Sequence, residues 1–227
     1  MSERSYDQYC GIARALDVVG GRWGLLVVRE LILGPKRFTD LARGLPGIGT
    51  NVLSARLKQL ERGGVIRRCT LPPPAASTVY ELTEYGRELE GPLLAVGRWG
   101  AKSLGLRGPG QSLRSEWVAV ALKAYFRPGA AEGVRATVEL RLADGPYHAR
   151  IADGTIAVEP GPGHHPDLVL TTDEETLIAF LAGAPVPPAA LGSEGDAVLL
   201  ERLPEIFAFG PGADQEATPT DSAASRR

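Results

Sequence analysis

The stretch "PGIGTNVLSARLKQLERGGVIRRC", Pro46 to Cys69, predicts a helix with two unlike faces and then a basic strand. Leu53, Leu57 and Leu60 recur at the spacing of one helix face, so this face is expected to enter a core. The opposite arc carries small, polar and basic side chains. Gly63-Gly64 is expected to end the helix before a β-prone run with arginines. Such a helix suits the major groove of DNA, because its outer face is slim and can form hydrogen bonds.

Two sets of residues are candidates for DNA contact. The candidates for base edges offer an amide, an amine or a hydroxyl, or permit close approach: Thr50, Asn51, Ser54, Ala55 and Lys58. The candidates for phosphate offer a positive charge or a hydroxyl: Lys36, Arg37, Thr39, Arg56, Arg62, Arg67 and Arg68. An ordinary solvated helix face would look similar when taken alone. The neighbouring elements therefore decide between the two interpretations.

Those neighbours predict a winged helix-turn-helix. Before the helix, "RFTDLARGL" places Phe38, Leu41 and Leu45 on one side, and the tight "LPGIG" connection is typical of a helix-turn-helix. After it, "VIRRCTL" and "TVYEL" flank a proline-rich turn and predict a β-hairpin with arginines at its start. A basic hairpin beside such a helix is expected to grip the DNA backbone or a minor groove.

Length and charge favour two units with different partners. The 227 residues suit one large domain or two small ones. Residues 1–105 contain 15 Lys/Arg and 10 Asp/Glu, a net +5, whereas residues 106–227 contain 10 and 17, a net −7. A basic first half can meet nucleic acid, and an acidic second half would be repelled by it.

The first half resembles the HxlR family of bacterial winged helix-turn-helix regulators. The matching stretches are "CGIARALDVVGGRWGLLVVREL", "GPKRFTDLARGLPGIGTNVLSARLKQLERGGVI" and "VYELTEYGRELEGPLLAVGRWG". The resemblance implies a DNA-binding and dimerisation domain over residues 9–104, acting as a homodimer on an inverted-repeat operator. It also implies that the first helix and the helix ending in "AVGRWG" form the dimer interface. The candidates there are Ile12, Leu16, Leu93, Val96 and Trp99.

Cys10 has two open interpretations. Cys10-Gly11 stands where the family often has Cys-Pro, and some members use a cysteine here to sense oxidants or electrophiles. A reactive thiol needs exposure and a lowered pKa. The alternative is a buried, inert thiol near the dimer interface.

The second half resembles the sterol-carrier-protein-like fold over residues 112–209. A helix, strand-like runs with Asp-Gly turns, "DLVLTTDEETLIAFLAG" and a closing "GDAVLLERLPEIF" carry the resemblance. The whole chain is therefore expected to be α+β, a mainly helical winged helix-turn-helix domain followed by a domain with an antiparallel sheet. Residues 210–227 lack the apolar content to fold and are expected to be a disordered tail.

The second domain is expected to hold an apolar cavity for a small hydrophobic ligand, although the same side chains could simply fill a core. The candidate lining residues are Trp117, Tyr125, Leu140, Ile151, Leu177, Phe180, Leu181 and Phe207.

The sequence gives little support for metal binding, catalysis or membrane association. His164 and His165 are adjacent and would point opposite ways on an extended chain, so no metal site is expected. With three histidines and no Ser/His/Asp or Cys/His set, neither an enzyme nor a cofactor is expected. No signal peptide and no apolar run of ~20 residues is found, which favours a cytoplasmic protein without a membrane partner.

The leading hypothesis is a dimeric regulator, a repressor by default, whose expected partners are double-stranded DNA and a second copy of the chain. A small apolar ligand is a further candidate partner. The alternative hypothesis is a small-molecule carrier or sequestering protein whose first unit serves mainly for dimerisation.

Overall fold

The computed structural model describes residues 5–74 and 76–209. The chain forms two compact units, Met1–Ser112 and Leu113–Arg227. Helices and strands occur in both units, which confirms the α+β class. The tail expected to be disordered, residues 210–227, lies outside the described residues.

The first unit is mainly helical. Its elements in chain order are α1 (Gly11–Val19), α2 (Gly24–Leu31), α3 (Phe38–Gly44), α4 (Thr50–Arg62), β1 (Ile66–Thr70), β2 (Thr78–Leu82), α5 (Glu84–Arg87) and α6 (Glu90–Ala101). Leu53, Leu57 and Leu60 are buried, as their spacing predicts, in a core with Val27 and Val28 of α2. The helix-turn-helix is thus fixed to α2 by apolar packing.

Strands β1 and β2 form the predicted hairpin. They pair antiparallel from Ile66 opposite Leu82 to Thr70 opposite Thr78. Lys36 forms an isolated β-bridge to β2, because its N–H donates to the Tyr80 carbonyl at 2.9 Å and its carbonyl accepts from the Tyr80 N–H at 2.8 Å. The wing, residues 66–82, is therefore hydrogen-bonded to the segment that leads into α3.

The second unit packs helices against one five-stranded sheet. Its elements in chain order are α7 (Ser115–Tyr125), β3 (Ala136–Leu142), β4 (Gly145–Ala152), β5 (Thr155–Pro160), β6 (Leu168–Thr171), α8 (Glu174–Leu181), α9 (Pro188–Leu191), β7 (Ser193–Gly195) and α10 (Ala197–Ile206). Strand β3 alternates as expected, with Val138, Leu140 and Leu142 buried on one face.

The sheet is mixed, which corrects the expectation of an antiparallel one. Its strand order is β5-β4-β3-β6-β7, and β3 pairs with β6 in parallel while its other pairs are antiparallel. Parallel pairing arises because residues 161–167 carry the chain from the edge strand β5 across two strands to the far side of β3. The Asp-Gly turns identified the two hairpins, but no local signal marked this crossing.

The crossing segment covers the sheet face opposite to Val138 and Leu140. The Gly163 N–H donates to Oε2 of Glu139 at 2.9 Å, and a Cβ on Gly163 would meet the Thr137 side chain. Glu139 is consequently buried, with 4% of its surface exposed. This carboxylate also accepts a hydrogen bond from Nε of Arg141 at 2.8 Å, so it is not buried without partners.

Candidate nucleic-acid interface

The helix-turn-helix consists of α3, a short loop and α4. Helix α3 ends at Gly44, and Gly47 turns the chain with a φ of +85°, a conformation that favours glycine. The Ile48 N–H donates to the Leu45 carbonyl at 3.1 Å within this turn. Leu41, Leu45 and Leu53 are almost fully buried, so both helices face the same core and α4 presents its other side outward.

The outward side of α4 carries the base-contact candidates. Thr50, Asn51, Ala55 and Lys58 are exposed, and Ser54 is half-buried on the flank. The N-cap residue Gly49 has no side chain to cap the helix, and no acidic residue lies in the first turn. This end of α4 therefore combines exposed polar side chains with helix N–H groups that carry partial positive charge.

The phosphate candidates fall into two groups. Five of them are exposed: Arg37, Thr39, Arg62, Arg67 and Arg68. The other two, Lys36 and Arg56, are half-buried and have partners within the protein. Phosphate contact stays a prediction for all seven. For Lys36 and Arg56 it would compete with these internal partners, and exposed cations such as Arg37 and Arg67 also have partners within the protein.

One contact ties the wing to α3, and a second links its two strands. Nε of Arg37 donates to Oγ of Ser77 at 3.1 Å, which ties the start of α3 to the far end of the hairpin. Nε of Arg67 lies 2.6 Å from Oε1 of Glu81, its partner across the two strands. Arg68 alternates to the other side of β1 from Arg67, so the two exposed cations project in opposite directions.

A buried carboxylate on α2, that of Glu30, connects this helix to the wing. The side chain of Glu30 is fully buried, with Nζ of Lys36 at 2.7 Å and Nη2 of Arg29 at 2.8 Å. Burial by itself raises the pKa of Glu30, but these two cations outweigh burial and hold the pKa below its usual value. Glu30 is therefore ionised at neutral pH. Because Lys36 is also bonded to β2, the ion pair connects α2 to the wing.

The glycine that ends α3 lies directly against Glu30. A Cβ on Gly44 would collide with the Glu30 carboxylate. Glycine normally weakens a helix by about 1 kcal/mol relative to alanine, so its presence here follows from this close approach. The roles of Glu30 and Gly44 were not predicted from the sequence. The available signal was a carboxylate inside the apolar run "LLVVRELIL", which requires a partner if the helix is buried.

Arg56 makes a second internal connection. Its guanidinium packs where a Cβ on Gly21 would stand, and Nη1 donates to Oε1 of Gln59. Gln59 in turn donates to the Asp17 carbonyl at 2.9 Å. These contacts link α4 to the end of α1, so Arg56 has a positioning role in addition to its predicted contact with phosphate.

Comparisons with known proteins also identify the first unit as a helix-turn-helix domain. A model of the HxlR-like helix-turn-helix family matches residues 18–107. YtcD of Bacillus subtilis, an uncharacterized HTH-type transcriptional regulator, is 36% identical over 104 residues, which cover 46% of this chain and 81% of YtcD. YdeP and YvaP of the same organism carry the same description. Their identities are 38% over 93 residues and 36% over 86 residues, covering 41% and 38% of this chain and 73% and 80% of theirs.

The chain belongs to the HxlR-like helix-turn-helix family. It is therefore a DNA-binding transcriptional regulator, a class whose members are generally not enzymes. The family match ends at residue 107, before the second unit begins at Leu113.

The HxlR-like unit exposes many large apolar side chains on α1 and α6. Ile12 is 74% exposed, Trp99 is 75% exposed, and Leu16 and Val96 are also exposed. Leu93 is half-buried and packs against the core. Within the described residues of the second unit, Val198 is the one exposed large apolar side chain. The apolar surface that water disfavours is thus concentrated on the first unit.

Cys10 lies at the N-terminal end of α1 in the HxlR-like unit and is exposed in the single chain. Burial of this thiol against a second copy of the chain stays a prediction. The backbone N–H of Ala13, and then that of Ile12, lowers the pKa of the Cys10 thiol. Cys69 on β1 differs, because burial and the nearby Glu81 carboxylate raise the pKa of its thiol. Redox sensing by Cys10 stays a prediction.

The second unit contains an apolar cavity of about 10 Å³, roughly the room of a single water molecule. Its lining residues are all apolar: Leu122, Val138, Leu140, Ala149, Leu170, Leu177, Leu181, Leu203 and Phe207. Four of the eight pocket candidates, Leu140, Leu177, Leu181 and Phe207, are among them. The other four, Trp117, Tyr125, Ile151 and Phe180, lie elsewhere in the unit. Tyr125, for example, has its ring centroid 4.5 Å from that of Phe209.

No group of three or more His, Cys, Asp or Glu side chains in residues 5–74 and 76–209 is arranged to hold a metal ion. Over the same residues, no helix has both the length and the apolar character to cross a membrane.

Proposed function

We propose that this regulator acts as a homodimeric repressor on an inverted-repeat operator. Helix α4 enters the major groove, the wing follows the backbone beside it, and the bound dimer blocks a promoter. The exposed, slim face of α4 above its buried leucine stripe carries this proposal. Residues 9–104 form the DNA-binding and dimerisation domain in this scheme, and residues 112–209 form the regulatory domain.

Base readout is assigned to residues in the first three turns of α4. Asn51 suits the two hydrogen-bonding groups of adenine, and Lys58 suits the acceptors of guanine. Thr50 and Ser54 can bond to either base or phosphate, and Ala55 permits close approach. The exposure of four of these five residues supports the assignment. N-terminal residues of a recognition helix are those that commonly reach base edges.

Phosphate contact is assigned to the exposed cations around α4. Arg37 precedes α3, Arg62 ends α4, and Arg67 and Arg68 lie on the wing. Each cation that neutralises a phosphate releases counterions, so binding is expected to weaken steeply with added salt. Thr39 and the uncapped first turn of α4 add neutral hydrogen-bond donors.

Dimerisation is assigned to α1 and α6 of the first unit. Ile12, Leu16, Val96 and Trp99 are exposed there, and an aromatic side chain such as Trp99 commonly dominates an interface energetically. The second unit, where Val198 is the single exposed large apolar side chain within the described residues, offers little comparable surface. A two-fold dimer would present two α4 helices to two half-sites, which matches an inverted repeat.

The second unit is proposed to be a sterol-carrier-protein-like module that modulates DNA binding through a small hydrophobic ligand. Its apolar cavity supports the chemical class of ligand. Because the cavity has room for about one water molecule, a ligand must bind an opened conformation and so shift the population toward it. A carrier would need the same opening to hold its cargo, so the exposed polar face of α4, rather than the cavity, favours the regulator over the carrier.

DNA from the region upstream of the protein's own coding sequence is the first probe for the proposed function. Fluorescence anisotropy would be measured across a salt series with unrelated DNA as competitor. Tight, competitor-resistant binding with a steep salt dependence is expected for the wild type. The double variant Asn51→Ala/Lys58→Ala is expected to bind this DNA no better than the competitor.

Arg150→Ala serves as the control, because it removes an exposed cation from the second unit instead. It is expected to bind like the wild type. Wild-type binding by the Asn51→Ala/Lys58→Ala variant would contradict the assignment of α4 as the recognition helix.

A further inference from the structure

One exposed side chain of α4 is neither polar nor small. Val52 follows Asn51 in the first turn and is 46% exposed. The other large apolar residues of this helix, Leu53, Leu57 and Leu60, are buried. A β-branched residue on an exposed helix position loses a few tenths of a kcal/mol in helix propensity relative to a straight-chain residue. Neither core packing nor helix propensity therefore accounts for valine here.

The position of Val52 places it beside the base-contact candidates. On a helix of 3.6 residues per turn, Val52 and Ala55 are separated by about 60° around the axis. The Cγ2 methyl of Val52 lies 4.0 Å from the point where a Cβ on Gly49 would stand, so the isopropyl group leans toward the N-terminus of α4. This is the end of a recognition helix that approaches the bases.

The major groove offers one apolar group to such a side chain. Thymine carries a C5-methyl group there, whereas the groove edges of the other three bases present hydrogen-bond donors and acceptors. Valine has one strongly preferred rotamer in a helix, so little rotational freedom is lost when its methyl groups meet another surface. A methyl-to-methyl contact also removes the exposed isopropyl surface from water.

We propose that Val52 selects thymine at one position of each half-site through contact with the C5-methyl group. The inference rests on the proposed role of α4 as the recognition helix and adds a specificity-determining residue to it. Asn51 and Val52 together would then favour A·T pairs at the part of the half-site that faces the start of α4.

The test is a double-mutant cycle between protein and DNA. A preferred duplex is first selected from a random pool by the wild-type full chain. Each thymine is then replaced in turn by deoxyuridine, which removes only the methyl group. Burial of one methyl group corresponds to about fourfold in affinity. We expect one thymine per half-site at which deoxyuridine weakens wild-type binding by about that factor.

Val52→Ala is expected to bind the thymine and deoxyuridine duplexes equally well, and Val52→Thr, which keeps one methyl group, to retain part of the preference. Val198→Ala is the matched control, because Val198 is an exposed valine in the first turn of α10 in the second unit. Its preference for thymine is expected to equal that of the wild type. Circular dichroism of each variant checks that the fold is kept.

The outcomes separate the two levels of the proposal. If the wild type selects a duplex but no thymine shows a preference that Val52→Ala abolishes, the role of Val52 is refuted while the regulator stands. If the wild type selects no duplex from the pool, the proposed function fails, and the role of Val52 fails with it.

Discussion

Replacing Glu30 with glutamine is expected to lower the unfolding free energy of the first unit by about 3 kcal/mol. The change keeps the shape of the side chain but removes the charge that faces Lys36 at 2.7 Å and Arg29 at 2.8 Å. Removing one partner of a buried ion pair commonly costs about 3–5 kcal/mol, because the remaining charge loses its compensation. The lower end applies here, since the side chains of Arg29 and Lys36 are 22% and 16% exposed and keep some contact with water.

The assay must report the first unit alone, because a chain of two units need not unfold in one step. The protein has three tryptophans, and two of them, Trp23 and Trp99, lie in the first unit. In a Trp117→Phe background, tryptophan fluorescence during urea unfolding therefore follows the first unit. The shift of the urea midpoint, multiplied by the slope of the transition, gives the change in free energy.

A matched control decides how the result is interpreted. Glu88→Gln removes the charge of an exposed glutamate in the same unit and is expected to change stability by less than about 0.5 kcal/mol. If Glu30→Gln changes stability no more than Glu88→Gln does, the ion pairs of Glu30 contribute no net stability, contrary to this prediction.

The pH dependence of stability is an independent test of the ion pairs of Glu30. The pKa of Glu30 is lowered in the folded state, so its ionised form stabilises the fold above the ordinary glutamate pKa of about 4.3. That contribution is lost as the pH falls through the lower folded pKa. The stability difference between the wild type and Glu30→Gln is therefore expected to be largest near neutral pH and to shrink in acid. A difference that persists unchanged at acid pH would point to packing rather than charge.

Three further predictions concern DNA binding, dimerisation and thiol reactivity of the first unit. Arg68→Ala is expected to weaken binding to all DNA sequences alike and to reduce the salt slope by about one unit; an unchanged slope in the anisotropy series would remove Arg68 from the phosphate contacts. Trp99→Glu is expected to raise the dimer dissociation constant at least about 30-fold in sedimentation equilibrium, and an unaffected dimer would exclude α6 from the interface. At neutral pH Cys10 is expected to react with iodoacetamide faster than Cys69, because the pKa of Cys10 is lowered and that of Cys69 is raised; mass spectrometry of the two peptides at timed intervals would reveal the opposite order if the assignment is wrong.

Patterns carried by neighbouring residues were sufficient to predict much of this fold. The spacing of Leu53, Leu57 and Leu60 gave the buried side of α4, because a helix repeats every 3.6 residues whatever surrounds it. Thr83 and Asp173 are of residue types that favour N-caps; they cap α5 and α8, and each accepts a hydrogen bond from a backbone N–H three residues further on. Such features depend on local geometry, which the sequence specifies directly.

Contacts between distant segments could not be predicted in this way. The parallel pairing of β3 with β6 depends on where residues 161–167 cross, and a loop of that length can lead to either side of a sheet. The internal partners of Arg56 and Lys36 depend on how closely α1, α2 and α4 pack, so both residues were assigned only to phosphate. The pocket candidates were chosen by hydrophobicity, which does not distinguish residues around a cavity from those in a filled core.

The contact between Gly44 and Glu30 has a consequence for how this sequence can diverge. An alanine at position 44 would normally strengthen a helix, but here its methyl group would displace a carboxylate held by two cations. Each residue therefore restricts substitutions at the other. Across related chains we expect a larger residue at the position of Gly44 to occur together with a shorter or uncharged residue at that of Glu30. Position 30 is expected to change before position 44, because only that order avoids a collision between the new methyl group and the Glu30 carboxylate.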